Sequence, residues 1–184
     1  MKAFLGKSIL KILGWKSDYP KKYQIDKFVI IAAPHTSNWD LVYALAVFWK
    51  YKIPVKYFIK DSFTKGLHGY IFKALGAIGV NRSKTGNLVH HAAATIKKMD
   101  RIALMVPAEG TRSKVKKWKT GFYHIAKKAD VPVALGYLDY KNKIAGVGDL
   151  INLTSDFEKD MEKIETFYSN ITAKYPEKYN KNIY

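Results

Sequence analysis

Short apolar runs and amphipathic stretches take turns along most of this chain, and that alternation limits the fold more than any other feature. Phe28–Ala33, Val55–Lys60, Ile78–Arg82, Ile102–Val106 and Val133–Tyr140 have the length and character of strands, and Ile144–Val147 is a further short one. Between them, Asp40–Tyr51, Thr64–Ala74, Asn87–Met99 and Thr120–Ala129 read as helices, with Leu88, Ala92, Ile96 and Met99 on one side of the third. Strands that alternate with helices predict an α/β fold: a mostly parallel mixed sheet flanked by helices. A last helix is expected over 154–172, opened by Ser155 and Glu158 as a capping box and striped by Phe157, Met161, Ile164, Tyr168 and Ile171. No repeat or linker interrupts the pattern. The 184 residues therefore read as a single domain, 1–184, long enough to bury a core.

Composition narrows the function classes. There is no cysteine, which excludes disulfide scaffolds, Cys-ligated zinc, iron–sulfur clusters and thiol nucleophiles. Lys and Arg number 32 against 15 Asp and Glu, a net charge of +17. Such a chain attracts polyanions: nucleic acid, an anionic membrane surface or a phosphorylated substrate. The stretch 112–128 holds seven of the basic residues and no acid, among them Lys114, Lys116, Lys117 and Lys119. The longest apolar run, Leu41–Trp49, lies between Asp40 and Lys50 and is too short to span a bilayer. Residues 1–16 begin like a signal peptide, but Lys7 and Lys11 break the apolar stretch and no small-residue cleavage site follows. As an amphipathic helix the segment places Leu5, Ile9, Ile12 and Leu13 on one face, with Leu10 off the stripe. Two expectations stand for it: packing on its own domain, or lying on an anionic membrane.

Of the five histidines, His35 has the most informative setting. It follows an apolar strand and Pro34 and precedes Thr-Ser-Asn-Trp-Asp, so it belongs at the carboxyl end of a strand, where open α/β sheets place their sites. Ser37 or Asn38 can cap the next helix, and Asp40 in its first turn can reach the His35 ring. A carboxylate on one imidazole nitrogen leaves the other as a base. A second cluster, Pro107-Ala-Glu-Gly-Thr-Arg-Ser113, again follows a strand. It offers the Glu109 carboxylate, the flexible Gly110, the Thr111 hydroxyl and the Arg112 guanidinium, the last suited to bidentate phosphate binding. The alternative for this loop is a local Glu109–Arg112 ion pair. A third, Gly76-Ala-Ile-Gly-Val-Asn-Arg82, brings Arg82 to another strand end.

Taken together, these residues resemble the glycerolipid acyltransferase family of the lysophosphatidate acyltransferase type. His35-Thr-Ser-Asn-Trp-Asp40 matches its H-x4-D block, Gly76-x-Ile-x-Val-x-Arg82 its second block, and Glu109-Gly-Thr-Arg-Ser113 its third. Lys119-x-Gly121 and Val131-Pro-Val133 look like the stretch leading into its fourth. The likeness runs over residues 28–140, the motif-bearing core, in the family's order; Ala108 stands where the family usually has Pro.

The resemblance implies a glycerol-3-phosphate acyltransferase-like fold and an O-acyltransferase of phospholipid metabolism. The fatty acyl donor would be acyl-CoA or acyl carrier protein, with no bound cofactor and no metal. The acceptor would be the hydroxyl of a lyso-phospholipid or glycerol-phosphate. His35 would act as general base held by Asp40, while Arg82, Glu109, Gly110, Thr111 and Arg112 would bind the acceptor. Lys60, before Asp61-Ser62, is similar to a family lysine near the site. Trp39, Phe48, Phe58 and Phe72 are candidates for an acyl trough. The expected location is the cytoplasmic face of a membrane, held peripherally by an anionic lipid surface. Two other readings stay open: an acceptor that is an amino-acid lyso-lipid or another non-glycerol lipid, and a basic module binding polyanions. The second leaves H-x4-D and EGTRS unexplained, and no nucleic-acid motif is present.

Overall fold

A computed structural model describes residues 1–20, 25–81 and 87–184. Its strands are β1 (Lys16–Asp18), β2 (Lys27–Ala33), β3 (Val55–Lys60), β4 (Ala77–Val80), β5 (Ile102–Val106), β6 (Val133–Asp139) and β7 (Ile144–Ile151). Its helices are α1 (Lys2–Ile12), α2 (Trp39–Lys50), α3 (Gly66–Ala74), α4 (Leu88–Lys98), α5 (Gly121–Ala129) and α6 (Phe157–Ser169). The strands join in one sheet, β1-β7-β6-β2-β5-β3-β4. Every pair is parallel except the β6–β7 hairpin. This is the mostly parallel mixed α/β sheet that the alternation predicts.

Several boundaries differ from the sequence reading, and one strand is new; β7, read as Ile144–Val147, runs on to Ile151, and α6 covers Phe157–Ser169 of the expected 154–172. The run Ile78–Arg82 becomes strand only over Ala77–Val80. Arg82 lies outside the described residues. The stretch Thr64–Ala74 splits into a 3-10 turn, Asp61–Thr64, and α3, whose first residue, Gly66, has φ 66°, where only a residue without Cβ is unstrained. β1 is a strand that periodicity could not show, because three residues carry no pattern; it exists through pairing with β7.

The two sheet faces have different covers. On one side Val29, Ile31, Leu104 and Leu135 pack under α4, α5 and α6, where Phe122, Met161, Ile164 and Tyr168 are fully buried. On the other, Phe28, Ile30 and Met105 meet Leu45 and Phe48 of α2 and Phe72 beside α2 on α3. α4 opens on Asn87, whose side chain accepts from Val89 and His90 amides.

The expected Ser155–Glu158 box does not form. α6 starts two residues after Ser155, so Asp156 takes the cap and accepts the Lys159 amide at 3.1 Å. Buried Asp160 accepts Thr154 N–H at 2.7 Å and Tyr123 O–H at 3.1 Å, which fixes α6 to α5.

α1 packs across α2, but not by the expected stripe. Gly6 and Leu10 face inward; a Cβ on Gly6 would strike the Ala46 carbonyl oxygen. Leu10 joins Trp15, Tyr43, Ala46 and Val47 in a small buried cluster, whereas Leu5 and Ile12 are exposed. Close approach of two helices needs the thin Gly6 side, and that requirement sets the rotation of α1 against the apolar periodicity.

Candidate active site

The winding of the chain decides where the site can lie. α2 follows β2 onto one face of the sheet, while α5 follows β5 onto the other. β2 and β5 are adjacent and parallel, so the loops at their carboxyl ends part and leave a crevice. His35 sits on the first loop and Glu109 on the second, and the two meet: the His35 backbone N–H donates to Glu109 Oε2 at 2.9 Å and Oε1 at 3.2 Å.

Asp40, in the first turn of α2, is buried and serves four donors. Oδ2 accepts the Thr36 and Ser37 amides at 2.8 and 2.9 Å and lies 3.2 Å from His35 Nδ1. Oδ1 accepts the Tyr140 hydroxyl at 2.6 Å. A carboxylate surrounded by donors can only accept, so the tautomer assigned by this network has the proton on Nδ1 and leaves the Nε2 lone pair free. The Ser37 hydroxyl accepts Trp39 N–H at 3.2 Å, whereas Asn38, at the N-cap position of α2, makes no side-chain cap bond.

Glu109 faces inward, away from bulk solvent. Burial is the main reason its carboxyl is pushed up to about 8; the His35 amide bond opposes the rise, and the nearby Asp40 charge adds to it. The native state therefore holds this proton more tightly than the unfolded chain. Its contribution to stability is present below the ordinary glutamate range and is lost as pH rises from about 4.5 to about 8. Glu109→Gln keeps an acceptor for His35 N–H and cannot ionise. We expect this variant to lose that downward slope, roughly a few kcal/mol across the window, measured by denaturant unfolding at a series of pH values. An unchanged slope would assign the proton elsewhere.

The rest of the second loop is open. Gly110 is left-handed at φ 68°, and the Lys119 side chain crosses the space a Cβ would need. Thr111 Oγ1 accepts the Ser113 amide at 3.3 Å. Arg112 is exposed, and among the described residues it pairs with no carboxylate, Glu109 included. Lys60 is exposed at the end of β3; beside it Asp61 bonds Lys65 at 2.9 Å. The structure thus gathers His35, Asp40, Ser37 and Glu109 by direct bonds, leaves Gly110, Thr111 and Arg112 on the adjoining loop, and shows no bond from Lys60 to any of them.

Tyr140 has no signal in the sequence, because it reaches Asp40 across 100 residues. Burial and the Asp40 bond both push its hydroxyl far above the ordinary tyrosine range, so it remains a donor at any working pH. Its own amide is held by Thr172 O at 2.9 Å, and three residues on, the Tyr175 amide donates to Thr36 Oγ1 at 3.3 Å. The segment after α6 therefore ties the Asp40 partner to the His35 loop. Tyr140→Phe keeps the ring packed on Trp15 and Tyr43 but removes one donor to Asp40. A loss of about 1 kcal/mol in stability and about tenfold in turnover is expected, since 1.4 kcal/mol is a factor of ten. Thermal unfolding and steady-state rates would measure these; a silent variant would remove Tyr140 from the network.

A cavity runs from His35 and Asp40 between α2 and the sheet, walled by Ile31, Leu41, Ala44, Phe48 and Met105. Among the four aromatic trough candidates only Phe48 lines it. Trp39 is half exposed, Phe58 packs toward the opposite face against His91, and Phe72 packs on Phe63.

No curated protein is a significant match to the chain. Among solved structures, the 1-acyl-sn-glycerophosphate (LPA) acyltransferase PlsC from Thermotoga maritima is similar, with a TM-score of 0.64 at 17% identity over 90% of this chain and 74% of that one. At that identity the likeness speaks for the fold alone. The family model described as Acyltransferase matches residues 17–134, well over half of the chain and inclusive of His35, Asp40 and Glu109. This chain belongs to the acyltransferase family.

Proposed function

We propose that this protein transfers a fatty acyl group from an acyl thioester, carried by coenzyme A or acyl carrier protein, to the hydroxyl of a glycerol-phosphate or lyso-phospholipid acceptor. The observation that carries this reading is a histidine whose Nδ1 is held by a buried carboxylate, at the mouth of an apolar cavity. Nε2 removes the acceptor's hydroxyl proton as the oxygen attacks the thioester carbonyl. The tetrahedral intermediate collapses with cleavage of the C–S bond, and the leaving thiolate takes the proton back from the imidazolium. Asp40 stabilises that imidazolium and keeps the ring oriented. Glu109 acts through the His35 backbone, setting where the ring stands. Arg112, exposed and without a carboxylate partner among the described residues, binds the acceptor phosphate in this proposal, and the resemblance adds Arg82 as a second cation. The apolar walls around Phe48 take up the first part of the acyl chain.

No helix among the described residues is long and apolar enough to cross a membrane. In this proposal the enzyme meets its lipid acceptor peripherally, on an anionic cytoplasmic leaflet. Phe4, Leu5 and Ile12, outward on α1, supply apolar contact; Lys114, Lys116 and Lys117, all exposed, supply charge. The test is lipid mass spectrometry after incubation with acyl-CoA or acyl carrier protein thioesters and a panel of lyso-phospholipids, glycerol 3-phosphate and amino-acid lyso-lipids. Acylated glycerophospholipid is the expected product. Product formed only on the amino-acid lipids would overturn the acceptor class, and no acylated product with any pair would overturn the reaction.

A further inference from the structure

Among the described residues, most of the large apolar side chains that remain exposed belong to α1, α2, α3 and the turn before α3; Leu88, Tyr175 and Tyr184 lie elsewhere. α4, α5 and α6 expose only Leu88 among such residues. The opposite layer exposes Phe4 and Ile12 on α1, and on α3 it exposes Leu67 at 89%, Tyr70 at 74% and Ile71 at 64%, with Phe63 at 51% just before α3. α3 is amphipathic in the literal sense: Phe72 packs under it toward the core, while Leu67, Tyr70 and Ile71 point out. The two exposed faces are neighbours, because Lys2 at the start of α1 donates to the Ala74 carbonyl at the end of α3, 3.0 Å away.

We infer that α3 and the turn before it form a second membrane-inserting element beside α1, so that the protein lies on an anionic bilayer through both. This rests on the lipid-acceptor reading above. The charges agree with that occupant. Residues 1–17 and 62–76 contain no acid, while Lys2, Lys7, Lys11, Lys65 and Lys73 surround the apolar side chains. Asp61, which directly precedes the second stretch, is paired with Lys65 at 2.9 Å. The shape agrees as well. Leu67 and Ile12 protrude almost wholly into solvent, at 89% and 82%, and do not line a groove. Protein partners usually bury such anchors in pockets, whereas a bilayer accepts protruding apolar side chains ringed by lysine. The patch also follows the carboxyl end of β3, which lies at the same sheet edge as the carboxyl end of its parallel neighbour β5, where the Glu109 loop begins.

The absence of native cysteine allows Leu67→Cys to carry a polarity-sensitive fluorophore as the only labelled position. With the full chain, vesicles containing phosphatidylglycerol should shift the emission to the blue at low salt, and pure phosphatidylcholine vesicles should do so far less. The triple variant L67S/Y70S/I71S should keep its unfolding temperature and its turnover of a water-soluble short-chain substrate pair. It should lose at least tenfold in partitioning onto the anionic vesicles and in turnover of vesicle-borne acceptor. Wild-type partitioning by this folded variant would overturn the inference. So would a label that responds to acyl carrier protein but not to vesicles, which would make the patch a protein-docking site. A concentration-dependent dimer that the triple variant dissolves, with vesicle binding unchanged, would assign the patch to a second copy of the chain. Because partitioning is read without acyl transfer, failure of the lipid-acceptor reading shows in the products and failure of the surface shows in the vesicles.

Discussion

Replacing His35 by alanine is expected to abolish acyl transfer while leaving the fold intact. The His35 ring contributes its Nδ1 bond to Asp40, but the loop is held by backbone groups that alanine keeps: the His35 amide on Glu109 and the Thr36 and Ser37 amides on Asp40. Stability should therefore move little, and the rate should fall by about 10²–10⁴-fold, the usual worth of a positioned base. The measurement pairs product formation with thermal unfolding. Near-normal turnover in a folded His35→Ala protein would end the general-base mechanism.

Asp40 should separate the two kinds of damage that His35 does not. Asp40→Ala leaves the Thr36 and Ser37 amides and the Tyr140 hydroxyl without their acceptor in a buried place. Each unsatisfied group costs about 1–3 kcal/mol, so a large destabilisation accompanies loss of activity. Asp40→Asn can turn its carbonyl oxygen toward the two amides and His35 Nδ1 and its NH₂ toward Tyr140, whose hydroxyl can accept. The fold should survive, but the neutral amide no longer stabilises the imidazolium, and a rate loss of about a hundredfold or more is expected. If Asp40→Asn turned over like wild type, Asp40 would be a structural cap and no part of the chemistry. If Asp40→Ala proved as stable as wild type, the four-donor network would be the part in error.

Much of the site could be read along the chain because its parts are local. His35 and Asp40 are five residues apart, across one strand–helix turn, and a helix N-terminus places an acid in its first turn near the loop that precedes it. The Glu109–Arg112 stretch was equally visible as a polar loop after an apolar strand. Its internal arrangement was not: whether Glu109 pairs with Arg112 or turns inward depends on which strand lies next to β5, and that strand is β2, bringing the His35 amide within 2.9 Å. Tyr140 was silent for the same reason at longer range. So were the strand β1, made only by its pairing with β7, and the trough, of whose four aromatic candidates only Phe48 remains.

By itself, then, the sequence determined the order and type of the main elements and pointed to the loop residues that make up the candidate site, because period, turn residues and local spacing act over a few residues at a time. Which way side chains face was a tertiary decision. Glu109 looks in rather than out because an adjacent strand offers it an amide. α1 turns Leu10 inward and its stripe partly outward because only the Gly6 side lets two helices approach closely. A helical period marks a stripe as apolar, but the free energy of packing it depends on the neighbour it meets, and that neighbour is chosen by the whole sheet.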